Sequence, residues 1–300
     1  MIDKQTIRDM PVDLRLQYWM TEREIIRKLR WTGQKDNLTE DPVLKQFRFC
    51  NVRREHDRVT MQVAQALRTR QITRDNEAYL TTLMTAARLF NREGAIDWIA
   101  MCAAAYESPH DGFLSSLKQG MKELRDVQGK KIFGAAYIVS TAGRRMDKVD
   151  YVFEVLAKVS ELKLETNTLQ YAHNRLCSIH GLGSFLGAQV VADLKNTVWS
   201  RFASAPDWWV WCAPGPGSLR GLARLMGGHR PALKHFLGHA QARLAHQRDI
   251  GTLKTVGELC MQDFQNCLCE FDKYERALWN EGKPKQRYSP SKAPLPGRSD

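Results

Sequence analysis

Charged and aromatic side chains are concentrated in residues 47–60, which read FRFCNVRREHDRVT. A guanidinium group binds phosphate through two parallel hydrogen bonds. Arg53, Arg54 and Arg58 are therefore candidate phosphate ligands. The alternative is a solvated, salt-bridged corner, because charge runs are usually of that kind. Apolar residues interleaved with these charges favour a binding site.

A proline- and glycine-rich loop follows three tryptophans in residues 205–222, which read APDWWVWCAPGPGSLRGL. Ser218 is able to cap the helix that begins there, and a loop leading into a helix N-terminus binds phosphate through backbone amides. Ser218 and Arg220 are therefore candidate phosphate ligands. The tryptophans, Trp208 and Trp211 among them, either wall a pocket for a base or fill the core.

Residues 262–276 read QDFQNCLCEFDKYER and predict an amphipathic helix. Asn266, Lys273 and Arg276 are candidates to face a ligand, but ion pairs one turn apart explain the charges equally well. Cys260-x6-Cys267 has the first spacing of the iron–sulfur cluster in glycosylases similar to endonuclease III, yet no fourth cysteine follows. Both thiols lie on an apolar face with a period of three or four residues, which predicts that they belong to the core.

The most informative stretch is residues 177–194, CSIHGLGSFLGAQVVADL. It predicts a helix, an apolar-x-Gly-x-Gly turn, and a second helix that starts near Ser184. Gly181 and Gly183 tolerate positive φ, and the free amides of the second helix are able to bind an anion. In a chain of net charge +12, the natural anion is a nucleic-acid phosphate. The alternative is an ordinary corner between two helices.

The elements around these clusters are predicted to be helical almost throughout, which gives an all-α fold. Thr21-x-x-Glu24 predicts a helix start by its capping box, and Asp41-Pro42 predicts another. We expect one helical domain over residues 1–281, with a helix-hairpin-helix at about 166–194, and a disordered basic tail over 282–300. Without an apolar leader or spanning segment, a soluble intracellular protein is expected.

Together these segments resemble a bacteriophage family, the α-glutamyl/putrescinyl thymine pyrophosphorylases and amino acid:DNA transferases, which is related to helix-hairpin-helix DNA glycosylases. The matching residues are 49–55, 57–60, 181–183, 191–194, 213–218 and 265–275. Two positions depart from the glycosylases: Phe185 stands where lyases have lysine, and Ala203 where they have the catalytic aspartate. A Schiff-base mechanism is therefore not expected, and Asp207 is the nearest alternative aspartate.

The resemblance implies a fold like that of helix-hairpin-helix DNA glycosylases and hypermodification of thymine in phage DNA, in the cytoplasm of the infected bacterial host. The substrate would be double-stranded DNA with phosphorylated 5-hydroxymethyluracil, and an amine would replace the phosphate or pyrophosphate. The amine would be an amino acid, with glycine favoured, or a polyamine. No metal ligand set or nucleotide-binding loop appears in the sequence, so no cofactor is expected.

This chemistry assigns roles to the candidate residues. The candidate general bases are Glu55, Asp193 and Asp207, with His56 behind them. The leaving phosphate would be bound by Arg53, Arg54, Arg58, Ser218 and Arg220. DNA would contact Gly181, Gly183, Ser184, Lys273 and Arg276. The flipped base would lie among Phe49, Asn51, Trp208 and Trp211.

Two other functions remain open at the sequence level. One is a repair-type glycosylase that cleaves the glycosidic bond of a modified base. The other is a non-catalytic DNA-binding module that uses only the hairpin. The arginine-rich cluster and the Pro-Gly-Pro-Gly-Ser loop speak against the second, because simple phosphate binding needs neither.

Overall fold

The structure is a computed structural model that describes residues 2–68, 77–106, 112–134, 139–141, 143–282, 284 and 286–288. Within these residues it is built from α-helices and short 3-10 turns, and no strand is present, so the predicted all-α class is confirmed. The helices are α1 (Lys4–Arg8), α2 (Val12–Trp31), α3 (Arg58–Arg68), α4 (Glu77–Phe90), α5 (Glu93–Ala105), α6 (Phe113–Asp126), α7 (Lys148–Ser160), α8 (Leu169–Cys177), α9 (Ser184–Lys195), α10 (Pro216–Leu225), α11 (Phe236–Asp249), α12 (Thr252–Val256) and α13 (Met261–Leu278). In this part of the chain, no helix combines the length and apolar character needed to cross a membrane.

The helices divide between two compact units, which are described separately. The first unit comprises residues 1–57 and 209–300, and the second comprises residues 58–208. The single domain expected over residues 1–281 stays a prediction. Most of the tail expected to be disordered, residues 283, 285 and 289–300, lies outside the described residues.

Helix α13 is the centre of the first unit because its apolar face is completely buried. Phe264, Cys267 and Phe271 on this face have no solvent-accessible surface, which confirms the predicted apolar stripe and the place of Cys267 in the core. Helix α10 packs directly on α13 through glycine. A Cβ at Gly221 would overlap the backbone carbonyl of Leu268, so only glycine allows this approach.

Two predicted helix starts in the first unit are wrong. Helix α2 begins at Val12 after Pro11, nine residues before Thr21. Asp13 in the first turn favours this earlier start, because its negative charge interacts well with the positive end of the helix dipole. Thr21 therefore lies in the helix interior.

After Asp41, the chain makes only a turn over residues 42–46. Asp41 Oδ1 accepts hydrogen bonds from Val43 N and Leu44 N at 2.7 Å, as a helix cap would. The backbone then finds other partners, because Arg48 N donates to Gln286 O and Tyr288 N donates to Gln46 O. This antiparallel pairing replaces the continuation of a helix.

The second unit is arranged around α4, whose described side chains are almost all buried. Helix α4 packs on α5, α7 and α9, and α5 packs on α6. The hydroxyl groups of three threonines of α4 donate hydrogen bonds to the carbonyl oxygens four residues earlier, as Thr81 Oγ1 does to Glu77 O at 2.7 Å. Polar side chains are thereby accommodated in this core.

Candidate functional site

The structure divides the candidate residues between the units. The first unit contains Phe49, Asn51, Arg53, Arg54, Glu55, Trp211, Ser218, Arg220, Lys273 and Arg276. The second contains Arg58, Gly181, Gly183, Ser184, Asp193, Asp207 and Trp208.

Three segments singled out in the sequence meet on α13 in the first unit. The loop before residue 56 is bound to this helix, because Glu270 accepts from Cys50 N at 2.9 Å and Asp263 accepts from Arg54 N at 2.7 Å. Helix α10 packs on the same helix. Parts of residues 47–60, 205–222 and 262–276, far apart in sequence, therefore form one cluster of helices and loop.

A cation, a carboxylate and an imidazole lie together at the 3-10 turn Arg54–His56. Glu55 Oε1 is 3.3 Å from Arg53 Nη1 and 3.6 Å from His56 Nε2, and about half of the Glu55 side chain, 48 %, is exposed. Burial, together with the positive charges of Arg27 and Arg53, lowers the pKa of His56 to about 4. The imidazole is therefore neutral at pH 7, and the same surroundings make it a weak base.

Two buried polar atoms at this turn have no hydrogen-bond partner among the described residues. They are Arg53 Nε and His56 Nδ1. A buried polar group without a partner costs about 1–3 kcal/mol, and such groups often mark a functional site. They lie beside the exposed Glu55, so this turn is the candidate active site of the first unit.

Sequence reasoning misses Arg23, which holds the candidate loop in place. Its guanidinium group donates to Phe49 O and Cys50 O at 3.2 Å and to Asn51 Oδ1 at 3.3 Å. Arg23 is buried on the face of α2 that also carries Trp19. A charged residue on an otherwise apolar helix face is the signal that could have identified it.

The residues proposed for a base pocket in the first unit are largely occupied. Phe49 is buried and stands edge-on to Trp19 and Tyr274. Lys273 Nζ lies 4.9 Å from the centre of the Phe49 ring, and it pairs with a carboxylate of α13. Trp211 is also buried, whereas Asn51 Nδ2 donates to the backbone of residue 56. Their part in binding a base stays a prediction.

Arg220 belongs to a cluster of three arginines around one buried carboxylate. Asp272 Oδ2 is 2.9 Å from Arg220 Nε and 3.3 Å from Arg276 Nε, while Oδ1 is 3.1 Å from Arg224 Nε. Glu281 also pairs with Arg224, at 2.6 Å, so three cations face two carboxylates and one net positive charge remains to favour an anion. Ser218 is fully buried beside it. It is not the N-cap, which is Gly215, but the third residue of α10, and its hydroxyl group hydrogen-bonds the backbone of Gly215. Its part in binding a phosphate stays a prediction.

In the second unit, Asp193 forms a buried ion pair. Arg88 donates to both carboxylate oxygens of Asp193 at 2.5 Å, and Thr60 Oγ1 donates to Oδ1 at 2.7 Å. The side chains of Arg88 and Asp193 are each 1 % exposed. A carboxylate so engaged is suited to holding α4, α3 and α9 together, and a role as a general base stays a prediction.

Asp207 and Trp208 also make contacts within the second unit. Asp207 accepts from Leu169 N at 2.8 Å and from Gln170 N at 3.0 Å, which caps the N-terminus of α8. Lys195 Nζ lies 3.8 Å from the centre of the Trp208 ring, a cation–π contact. Among the described residues, no three His, Cys, Asp or Glu side chains are grouped to bind a metal.

The corner between α8 and α9 has the predicted helix–turn–helix order. Gly181 has φ of +102°, and a Cβ there would press on Tyr151 and Val155, so glycine is required. Gly183 has φ of −77° and needs no such freedom. It is the N-cap of α9, and Ser184 and Phe185 are exposed beside it. The amides of the first turn of α9 therefore face an accessible surface.

Comparison with known proteins gives one match. Residues 12–284 match the family model described as "5-hmdU DNA kinase, helical domain". This range includes α2 to α13, hence the described helices of both units except α1. No curated protein and no solved structure matches the chain.

Proposed function

Because the chain belongs to the family of the 5-hmdU DNA kinase helical domain, we propose that it acts on DNA containing phosphorylated 5-hydroxymethyluracil. In the proposed reaction, an amine replaces the phosphate or pyrophosphate on the 5-methylene group of the base. The family name contains 5-hmdU, the nucleoside of 5-hydroxymethyluracil, and this supports the proposed link to thymine hypermodification. The amine transfer itself is our proposal.

The observation that carries the proposal is the Arg53, Glu55 and His56 cluster. A protonated amine binds near Glu55 and loses a proton to this carboxylate. The amine lone pair then forms the new bond to the methylene carbon, and the carbon–oxygen bond breaks with its electrons on the leaving phosphate. Arg53 stabilises the negative charge that the phosphate gains.

Recognition of DNA is assigned to the corner between α8 and α9. Its supports are the exposed N-terminus of α9 and the required glycine at Gly181. An amino acid, with glycine favoured, is proposed as the amine through the resemblance to amino acid:DNA transferases. The carboxylate of an amino acid would be bound by a cation such as Arg220.

The decisive experiment is mass spectrometry of nucleosides from a phosphorylated 5-hydroxymethyluracil duplex. The duplex is incubated with the chain and with glycine, serine, glutamate and putrescine in competition. We expect a new nucleoside in which one amine is attached to the intact base. Abasic sites in place of this product would show a glycosylase, and an unchanged duplex with every amine would refute the transferase.

Two matched pairs of variants test the site. Glu55→Gln is expected to lower turnover by roughly 10²–10⁴, and Arg53→Gln by roughly 10²–10³. Glu258 and Arg248 form an exposed ion pair at 2.9 Å in the same unit, so Glu258→Gln and Arg248→Gln remove the same charges elsewhere. These control variants are expected to retain turnover within about twofold. Equal losses of turnover in the site variants and the control variants would show that Glu55 and Arg53 take no part in the reaction.

A further inference from the structure

The second unit contains a cavity of about 250 Å³, and four of its nine lining residues are cationic. It lies where the start of α5 meets the end of α6 and the segment after it. Its lining residues are Arg58, Arg92, Glu93, Gly94, Ala95, Leu124, Lys130, Lys131 and Ile132. The floor is apolar, because Ala95, Leu124 and Ile132 are buried.

The positive charges in this cavity are not neutralised by ion pairs. Among the described residues, no carboxylate lies within 4.0 Å of the charged groups of Arg58, Arg92, Lys130 or Lys131. Arg92 Nε donates only to a backbone carbonyl, Phe133 O, at 3.2 Å. Lys118 and Lys122 of α6, in the same unit, by contrast both contact Asp150, at 2.7 and 2.8 Å.

Two carboxylates are near the cavity and reduce its charge only in part. Glu93 belongs to the lining, and Asp97 follows one turn later on α5. Burial and the negative charge of Glu93 raise the pKa of Asp97, and Lys130 opposes this shift. Four cations against these two carboxylates leave a positive site.

The N-terminus of α5 adds hydrogen-bond donors to the same cavity. Arg92 is the N-cap of this 13-residue helix, and its side chain does not cap the first-turn amides. The positive end of the helix dipole therefore points to where the cationic side chains are gathered. Gly94 leaves open space, because no atom lies within 4 Å of the place where a Cβ would be.

We propose that this cavity binds a small phosphate anion, with inorganic pyrophosphate as its best ligand. Its volume lies below the roughly 300–1,000 Å³ of pockets for drug-sized ligands, which favours a small ligand. Four unpaired cations and free amides match the several charged oxygens of a pyrophosphate. Binding at this site is measured without turnover, so its test does not depend on the transferase reaction.

Isothermal titration calorimetry of the full chain tests this site directly. Pyrophosphate, phosphate, and a plain DNA duplex are titrated separately at one fixed salt concentration. Arg92→Gln and Lys130→Gln are each expected to weaken pyrophosphate binding at least about tenfold. Lys118→Gln removes an equal charge from an ion pair on α6, and it is expected to change the affinity less than about twofold.

A second variant separates binding from folding. Gly94→Asp puts a carboxylate into the open space of the cavity and also into the first turn of α5, where a negative charge is favourable. We expect an unchanged or raised Tm with at least about a tenfold loss of pyrophosphate affinity.

Three results would overturn the proposal. The first is no pyrophosphate binding by the unmodified chain. The second is an equal loss of affinity in Lys118→Gln and Arg92→Gln. The third is displacement of pyrophosphate by plain duplex at equal phosphate concentration, which would make the cavity a contact for the DNA backbone. None of them bears on amine transfer, which the nucleoside experiment measures separately.

Discussion

The buried pair of Arg88 and Asp193 makes a quantitative prediction for the second unit. In Asp193→Asn the carboxylate charge disappears, while the guanidinium of Arg88 stays enclosed at 1 % exposure. Breaking a buried ion pair on one side typically costs about 3–5 kcal/mol, because the remaining charge is uncompensated. Against a usual total stability of about 5–15 kcal/mol, this loss is large.

The double variant Arg88→Met, Asp193→Leu separates the cost of an orphaned charge from the value of the pair. Apolar residues of similar volume often replace a buried ion pair at little cost. We therefore expect the double variant to be more stable than Asp193→Asn by about 2 kcal/mol or more. In the double variant the Thr60 hydroxyl group loses its acceptor, because it donates to Asp193 Oδ1 in the native unit.

Urea unfolding followed by circular dichroism measures these differences, with hydrogen exchange of peptides from α4 and α9 as the local readout. The local readout is needed because two units do not have to unfold in one transition. A loss below about 1 kcal/mol in Asp193→Asn, with turnover abolished, would refute the structural account. It would instead support the general-base role that the sequence predicted for Asp193.

Three further predictions concern single positions. Gly221→Ala is expected to lower the free energy of unfolding by about 1–3 kcal/mol, because the added methyl group overlaps a carbonyl of α13. Thermal unfolding measures this loss. The control Gly238→Ala, at an exposed helical position with open space, should not lower the Tm. His56 has its pKa lowered from 6.5 to about 4 in the folded chain, so the unfolded chain binds more protons between these values and stability should rise with pH across that window. In His56→Gln this part of the slope should be absent from urea midpoints measured between pH 4 and 7, and an unchanged slope would contradict the assigned burial. Gly183→Val is expected to weaken DNA binding without unfolding the chain, because the φ of −77° at Gly183 is one that valine adopts. An unchanged affinity in fluorescence anisotropy titrations at moderate salt would show that the corner between α8 and α9 does not bind DNA.

Local patterns in the sequence predict the parts of the fold that depend on neighbours within one helix. The spacing of Phe264, Cys267 and Phe271 identifies the buried face of α13, because burial on one face imposes a period of three to four residues. The start of α9 at Ser184 follows from the glycine turn before it. These signals need no knowledge of distant residues.

Long-range contacts are the part that the sequence does not reveal. Arg88 and Asp193 are 105 positions apart, and no local sequence pattern near either residue predicts their ion pair. Arg23 is similar, since its role depends on a loop 26–28 residues later. The sequence does not predict the cationic cavity either, because Arg92 and Lys130 come together only when α5 packs on α6.

The first unit is assembled from the two ends of the described chain, and this has a consequence for biosynthesis. Residues 2–57 leave the ribosome long before residues 209–278, which complete their core. At roughly 5–20 residues per second, the interval between Asp57 and Leu278 lasts on the order of ten to forty seconds. Throughout it, Phe49 lacks Tyr274, one of the two rings that it contacts, so the nascent segment exposes apolar surface that the finished unit buries. The second unit, by contrast, is continuous in sequence and is able to begin folding while translation proceeds.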